Sequence, residues 1–161
     1  MADMGIYSLW PVFTALDLGV PVSAEAWATH TCSIVDLVSQ PAKNDFSYPT
    51  ACAIRLQFAP RGEAPELDVF WYDGGMRPTP PEELEADGKE FPAEAMMFVG
   101  DKGRILAGFH VENPRLIPEK RMQGQAPPAR QQRERGEVPS GLRQWIAACR
   151  GGEQSPGSFL N

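Results

Sequence analysis

Apolar side chains recur at Ile6, Leu9, Trp10, Phe13 and Leu16, the i, i+3, i+4, i+7 spacing that lays one buried stripe along a helix. Gly19 suits the position just past a helix end, and Pro21 prevents continuation. Pro11 sets the expected start of regular helix near itself, because an interior proline breaks a backbone bond. From Ser23 to Val35, small and β-branched residues predict one strand with Trp27 as its large side chain. Residues 40–49 carry Pro41, Asn44, Asp45 and Pro49 and read as a loop. Ala51 to Ala59 alternates, with Ile54, Leu56 and Phe58 on one face and Arg55 and Gln57 on the other. After Pro60-Arg61-Gly62, Glu66 to Tyr72 alternates again, setting Leu67, Val69 and Trp71 opposite Asp68, Phe70 and Tyr72. These two strands are expected to pair antiparallel, with one face wet or turned to a partner.

Asp73-Gly74-Gly75 is a sharp turn, and residues 77–92 form a Pro- and Glu-rich excursion with one helical turn at Pro81 to Glu85. Met96 to Gly100 and Gly103 to Phe109 predict two short strands joined by Asp101-Lys102 as a tight hairpin. Arg115 to Pro118 adds one more short strand, and residues 123–139 are proline- and arginine-rich and irregular. Ser140 then reads as an N-cap, with a helix stripe at Leu142, Trp145, Ile146 and Cys149 ended by Gly151-Gly152. Helix, several strands, helix is not an alternating βαβ order. The expected class is therefore α+β: an open, mainly antiparallel sheet with helices packed on one face and the other face left for something else to cover.

Length, charge and cysteine content narrow this further. The 161 residues suffice for a single domain, 1–161, with a real core. Apolar content of 42% and charged content of 22% describe a soluble globular chain. No apolar run approaches the roughly 20 residues that span a bilayer, and no basic leader precedes an apolar stretch, so no membrane association and a cytoplasmic location are expected. Cys32, Cys52 and Cys149 are odd in number and widely spaced, which disfavours a disulfide framework. With only His30 and His110, no metal site is expected. A net charge of −6 argues against nucleic acid as partner. The arginine-rich stretch from Arg115 to Arg150 reads as a solvated linker in preference to a phosphate or partner patch.

Few residue clusters carry chemistry. Gly100-Asp101-Lys102-Gly103 lacks the longer Gly-rich stretch and the following helix of a phosphate-binding loop and is read as the hairpin. Ser8 has no neighbouring histidine in sequence, and Glu82, Glu83 and Glu85 read as a solvated face. Phe70, Trp71 and Tyr72 suit either a sugar-stacking platform or a core and interface role. Asp3 and Tyr7, four apart near a helix start, suit a proton relay or plain capping equally.

Several stretches together resemble one family. Asp3-Met4-Gly5-Ile6-Tyr7, Pro11-Val12-Phe13 and Ala15 to Gly19 are similar to the segment that follows the Rossmann domain in Gfo/Idh/MocA-family oxidoreductases. In the same order come Trp71 to Pro78, Phe98 to Leu106, Asn113 to Glu119, Trp145 to Cys149 and Gly157-Ser158-Phe159. The resemblance covers nearly the whole chain and implies a domain that borders the substrate pocket and supplies an oligomer interface through its sheet, on the face of Arg55, Gln57, Phe70 and Tyr72. It implies Asp3 and Tyr7 as catalytic residues and Ser8, Trp10, Tyr72 and Arg77 as substrate-binding residues for a small sugar, cyclitol or related polyol. Tyr7 stands where the family carries histidine, and Trp10 where it often carries an acid. NAD or NADP is implied for the complete enzyme and none for this chain, which has neither a G-x-G-x-x-G after a strand nor the family's Glu-Lys-Pro segment. The expectation is a domain truncated at both ends, acting within an oxidoreductase. A non-catalytic self-associating module and a standalone hydrolase or lyase using Ser8 or Tyr7 are the alternatives.

Overall fold

The computed structural model describes residues 3–42, 44–124 and 140–153. The chain divides into two compact units, Met1–Gly124 and Gln125–Asn161. Among the described residues, the strands and two of the three α-helices belong to the first.

Helix α1 spans Gly5–Ala15 and so begins six residues before Pro11, where the sequence placed its start. Packing explains the difference. Gly5, Ser8 and Val12 are buried, and this line of residues is the one that seats the helix on the rest of the unit. That contact outweighs the interior proline's cost of about 3 kcal/mol. The buried line is also rotated from the expected stripe. Leu9 and Phe13 are half-buried, but Ile6 is 69% and Trp10 45% exposed, and Leu16 is exposed as well. The helix meets the strands at Phe13, whose ring stands edge-on to Phe58 at 5.6 Å. Arg61 holds the helix end, donating to the Leu16 carbonyl at 2.8 Å.

The single strand expected from Ser23 to Val35 is two. β1 is Ser23–Thr29 and β2 is Cys32–Val35. β2 turns back at Asp36-Leu37, both at positive φ (51 and 65), as a two-residue hairpin turn requires. β3, Val38–Pro41, therefore claims the first residues of the expected loop. β4, Ala51–Phe58, and β5, Leu67–Asp73, pair antiparallel as anticipated. Their register sets Ile54 beside Trp71, Leu56 beside Val69 and Phe58 beside Leu67, and on the other face Ala53 beside Tyr72, Arg55 beside Phe70 and Gln57 beside Asp68. β1 pairs with the far edge of β4.

The excursion after β5 contains one short helix, α2, Glu82–Ala86. β6 (Met96–Gly100), β7 (Gly103–Ala107) and β8 (Arg115–Ile117) follow, with a 3-10 turn at Glu119–Met122. The strands form three antiparallel sheets, β1-β4-β5, β2-β3 and β6-β7-β8. One continuous open sheet was expected. The polar link His30-Thr31 and the proline-rich excursion interrupt the hydrogen-bonded ladder. The coarse class, α+β with antiparallel strands, is the one read from the pattern. Leu84, Leu106 and Ile117 form the tightest core, with Phe91 and Met97 packed against it.

In the second unit α3 spans Ser140–Cys149, and Gly151 at φ +81 ends it. Leu142 and Trp145 of its apolar stripe are exposed. The irregular segment expected at 123–139 lies outside the described residues beyond Gly124. Among the described residues no helix is long and apolar enough to cross a membrane.

Candidate functional site

The corner at the start of α1 carries four of the six expected site residues. Asp3 is exposed, and the helix start at Met4 has no side-chain cap, so plain capping does not describe this cluster. Tyr7 is 56% exposed. Its ring stands edge-on to His110, centroids 6.3 Å apart and planes at 85°. Trp10, one turn further, is also open to solvent. Ser8 faces the other way: it is 4% exposed and its Oγ is buried without a hydrogen-bond partner.

His110 was not singled out as a site residue, since its neighbours look like a strand. The strand β7 stops at Ala107, and residues 108–112 close a tight loop instead. The Gly108 N–H donates to the Glu112 carbonyl at 2.9 Å and the Val111 N–H to the Gly108 carbonyl at 3.0 Å. Val111 takes a positive φ of 61, which turns His110 outward toward Tyr7. The Glu112 carboxylate accepts from the His110 N–H at 2.6 Å. Hydrogen bonds from its own N–H and that of His110 hold it below the usual carboxylate range. The available signal was Gly108 with Asn113-Pro114, turn residues on either side of the histidine.

Tyr72 and Arg77 sit elsewhere. No hydrogen bond, ion pair or ring contact joins either to Asp3, Tyr7, Ser8 or Trp10 among the described residues. Arg77 is exposed, and its Nη1 lies 3.4 Å from the Phe91 carbonyl. Tyr72 belongs to the polar face of the β1-β4-β5 sheet, stacked on Phe70 with centroids 6.3 Å apart. Three cross-strand rows build that face: Ser23–Gln57–Asp68, Glu25–Arg55–Phe70 and Trp27–Ala53–Tyr72. Ser23 Oγ donates to Gln57 Oε1 at 2.6 Å. Arg55 donates to Asp68 Oδ2 at 2.8 Å, lies 3.7 Å from Glu25, and covers the Phe70 ring at 5.9 Å. Trp27 is 53% and Phe70 50% exposed. Ala53 is buried between its aromatic row-mates. The face is thus a platform of three aromatic rings around one neutralised arginine.

No family model matches this chain, and neither does any curated protein or solved structure. Among the described residues no group of three or more His, Cys, Asp or Glu is placed to hold a metal ion. Glu83, expected on a solvated face, is instead half-buried and ion-paired with Arg104. At the other end of the sheet Asp73 accepts from the Cys52 N–H at 3.0 Å and the Trp71 Nε1–H at 2.9 Å. The Trp71 bond foremost, with Cys52 adding to it, holds its carboxyl at about 2. Burial, with the neighbouring Asp73, pushes the Cys52 thiol upward. This cluster ties β4 to β5 and is structural.

Proposed function

We propose that this chain is the substrate-facing and assembly domain of a Gfo/Idh/MocA-like oxidoreductase acting on a sugar, cyclitol or related polyol. The observation that carries the reading is the α1 corner. Tyr7 projects to solvent beside His110, and Trp10, one turn along the helix, is likewise exposed, although packing alone would favour burying such aromatic rings. A phenol, an imidazole, an indole face and the Asp3 carboxylate together suit a polyol. The indole packs on C–H surface while the polar groups exchange hydrogen bonds with hydroxyls. In this role Tyr7 Oη hydrogen-bonds the reacting hydroxyl, and the His110 imidazole beside it accepts the proton.

NAD or NADP would supply hydride transfer in such an enzyme. The described residues do not fit that group. Every strand pairing among them is antiparallel, and no parallel strand opens through a glycine-rich turn into a helix. In this proposal the dinucleotide belongs to another domain.

Amide-resolved NMR titration of the chain with myo-inositol and with glucose tests the substrate half. Shifts concentrated at Tyr7, Trp10 and His110, and weakened in Tyr7→Phe, are expected. Shifts absent from α1, or unchanged in Tyr7→Phe, overturn it. Saturable binding of NADH by this chain alone would overturn the placement of the cofactor.

A second reading is a self-associating module without catalysis. The half-exposed Trp27 and Phe70 on an otherwise paired sheet face favour it. Light scattering should then show an oligomer that Phe70→Glu or Tyr72→Glu dissociates, and a strictly monomeric chain refutes it.

A further inference from the structure

The β6–β7 hairpin and the 3-10 turn that follows β8 border an open cleft of about 550 Å³ lined by Glu83, Gly100 to Arg104, Pro118, Lys120 and Arg121. It holds four cations, Lys102, Arg104, Lys120 and Arg121, against the carboxylates of Glu83 and Asp101, a net of +2 in a chain of net −6. The carboxylates nearby do not relieve this. Glu83 is ion-paired with Arg104. Glu119, adjacent in sequence to Lys120, is held by Lys89 and by Arg115 at 3.2 Å. Among the described residues Lys102, Lys120 and Arg121 form no ion pair with a carboxylate, although the charge of Arg121 also acts on Glu83.

The cleft is also built. Arg121 Nη1 donates to the Lys102 carbonyl at 2.9 Å, which pins the guanidinium across the hairpin while using one of its five N–H donors. It passes close over Gly103. Gly103 takes φ +145, and a Cβ at that position would overlap Arg121 Nη1. Fixing a guanidinium among two uncompensated ammonium groups costs electrostatic energy unless an anion is present. A phosphoryl dianion matches the net charge and accepts the planar pair of donors that arginine presents.

We propose that this cleft binds the phosphoryl dianion of a small molecule, with Arg121, Lys120 and Lys102 as its donors. The site needs no phosphate-binding loop, because side chains and not backbone N–H groups hold the anion. It stands independently of the polyol reading of α1.

Calorimetric and amide-NMR titrations of the full chain with ribose 5-phosphate and with inorganic phosphate test it, with sodium acetate at matched ionic strength as the reference anion. One saturable site is expected, with shifts at Gly100 to Arg104, Lys120 and Arg121. Arg121→Gln and Lys120→Gln should each weaken binding about tenfold, as losing a charge-assisted hydrogen bond does. Asp101→Asn should tighten it. Tighter binding of the sugar phosphate supports a phosphate monoester as the ligand, and equal binding supports free phosphate. Circular dichroism confirms that each variant folds. Non-saturating shifts spread over all cations, acetate binding as well as phosphate, or Arg61→Gln weakening binding as much as Arg121→Gln would each overturn the proposal.

Discussion

Replacing Asp73 with asparagine keeps the size of the side chain and removes its charge, and the structure assigns a cost to that change. The carboxylate accepts hydrogen bonds from the Trp71 indole N–H and the Cys52 N–H, and these are among the contacts, the Trp71 bond foremost, that bring its pKa from 3.8 to about 2. That lowering is worth about 2 kcal/mol of stability, reduced to about 1–2 kcal/mol by partial solvent screening. A group whose folded pKa lies below its unfolded value stabilises fully above the unfolded value. The contribution fades as pH falls toward the folded one. Asp73→Asn should therefore unfold at lower urea concentration at pH 7, with a loss of about 1–3 kcal/mol once the poorer geometry of an amide toward two donors is included. Between about pH 5 and pH 2 the gap between the two proteins should close, because the native carboxylate becomes protonated. Tryptophan fluorescence follows the transition, since Trp71 is itself a partner. An unchanged midpoint at pH 7, or a gap that stays constant down to pH 2, refutes the reasoning.

Other perturbations probe different contacts. Leu106→Ala removes one of the largest fully buried side chains among the described residues and should cost about 2–5 kcal/mol in a thermal or urea melt. Gly74→Ala places a Cβ against the backbone of Thr50 and Ala51 at φ +65, and a loss of at least about 2 kcal/mol is expected from strain and overlap together. Ser8→Ala deletes a buried hydroxyl with no partner. Its melting temperature should hold or rise, with a gain of up to about 1 kcal/mol, and a clear loss would mean that the hydroxyl is bonded in solution.

The candidate site was only partly legible. Tyr7 and Trp10 are named by their place in the sequence, and both are exposed. Ser8 has the right chemistry but points inward, because the face a helix buries depends on which side the neighbours approach. His110 and Glu112 escape sequence reading because a five-residue loop, not periodicity, presents them. Tyr72, expected both as a substrate-binding residue and on the sheet face of Arg55, Gln57 and Phe70, lies on that face, whose rows come from three strands.

Alternation along β4 and β5 determined their pairing partners by face, since a period of two residues is a local property of extended chain. The Asp101-Lys102 hairpin and the helix end at Gly151 were likewise fixed by residues adjacent in sequence. Tertiary structure decided what proximity alone can decide. Packing along Gly5, Ser8 and Val12 rotated α1 and carried helix through Pro11. The links between β1 and β2 and between β5 and β6 divided the strands among three sheets. Arg121, nineteen residues beyond Lys102, reached back over Gly103 to complete a cationic cleft. Local propensity chooses the elements, but which face is buried and which charges meet depend on contacts between residues far apart in the chain.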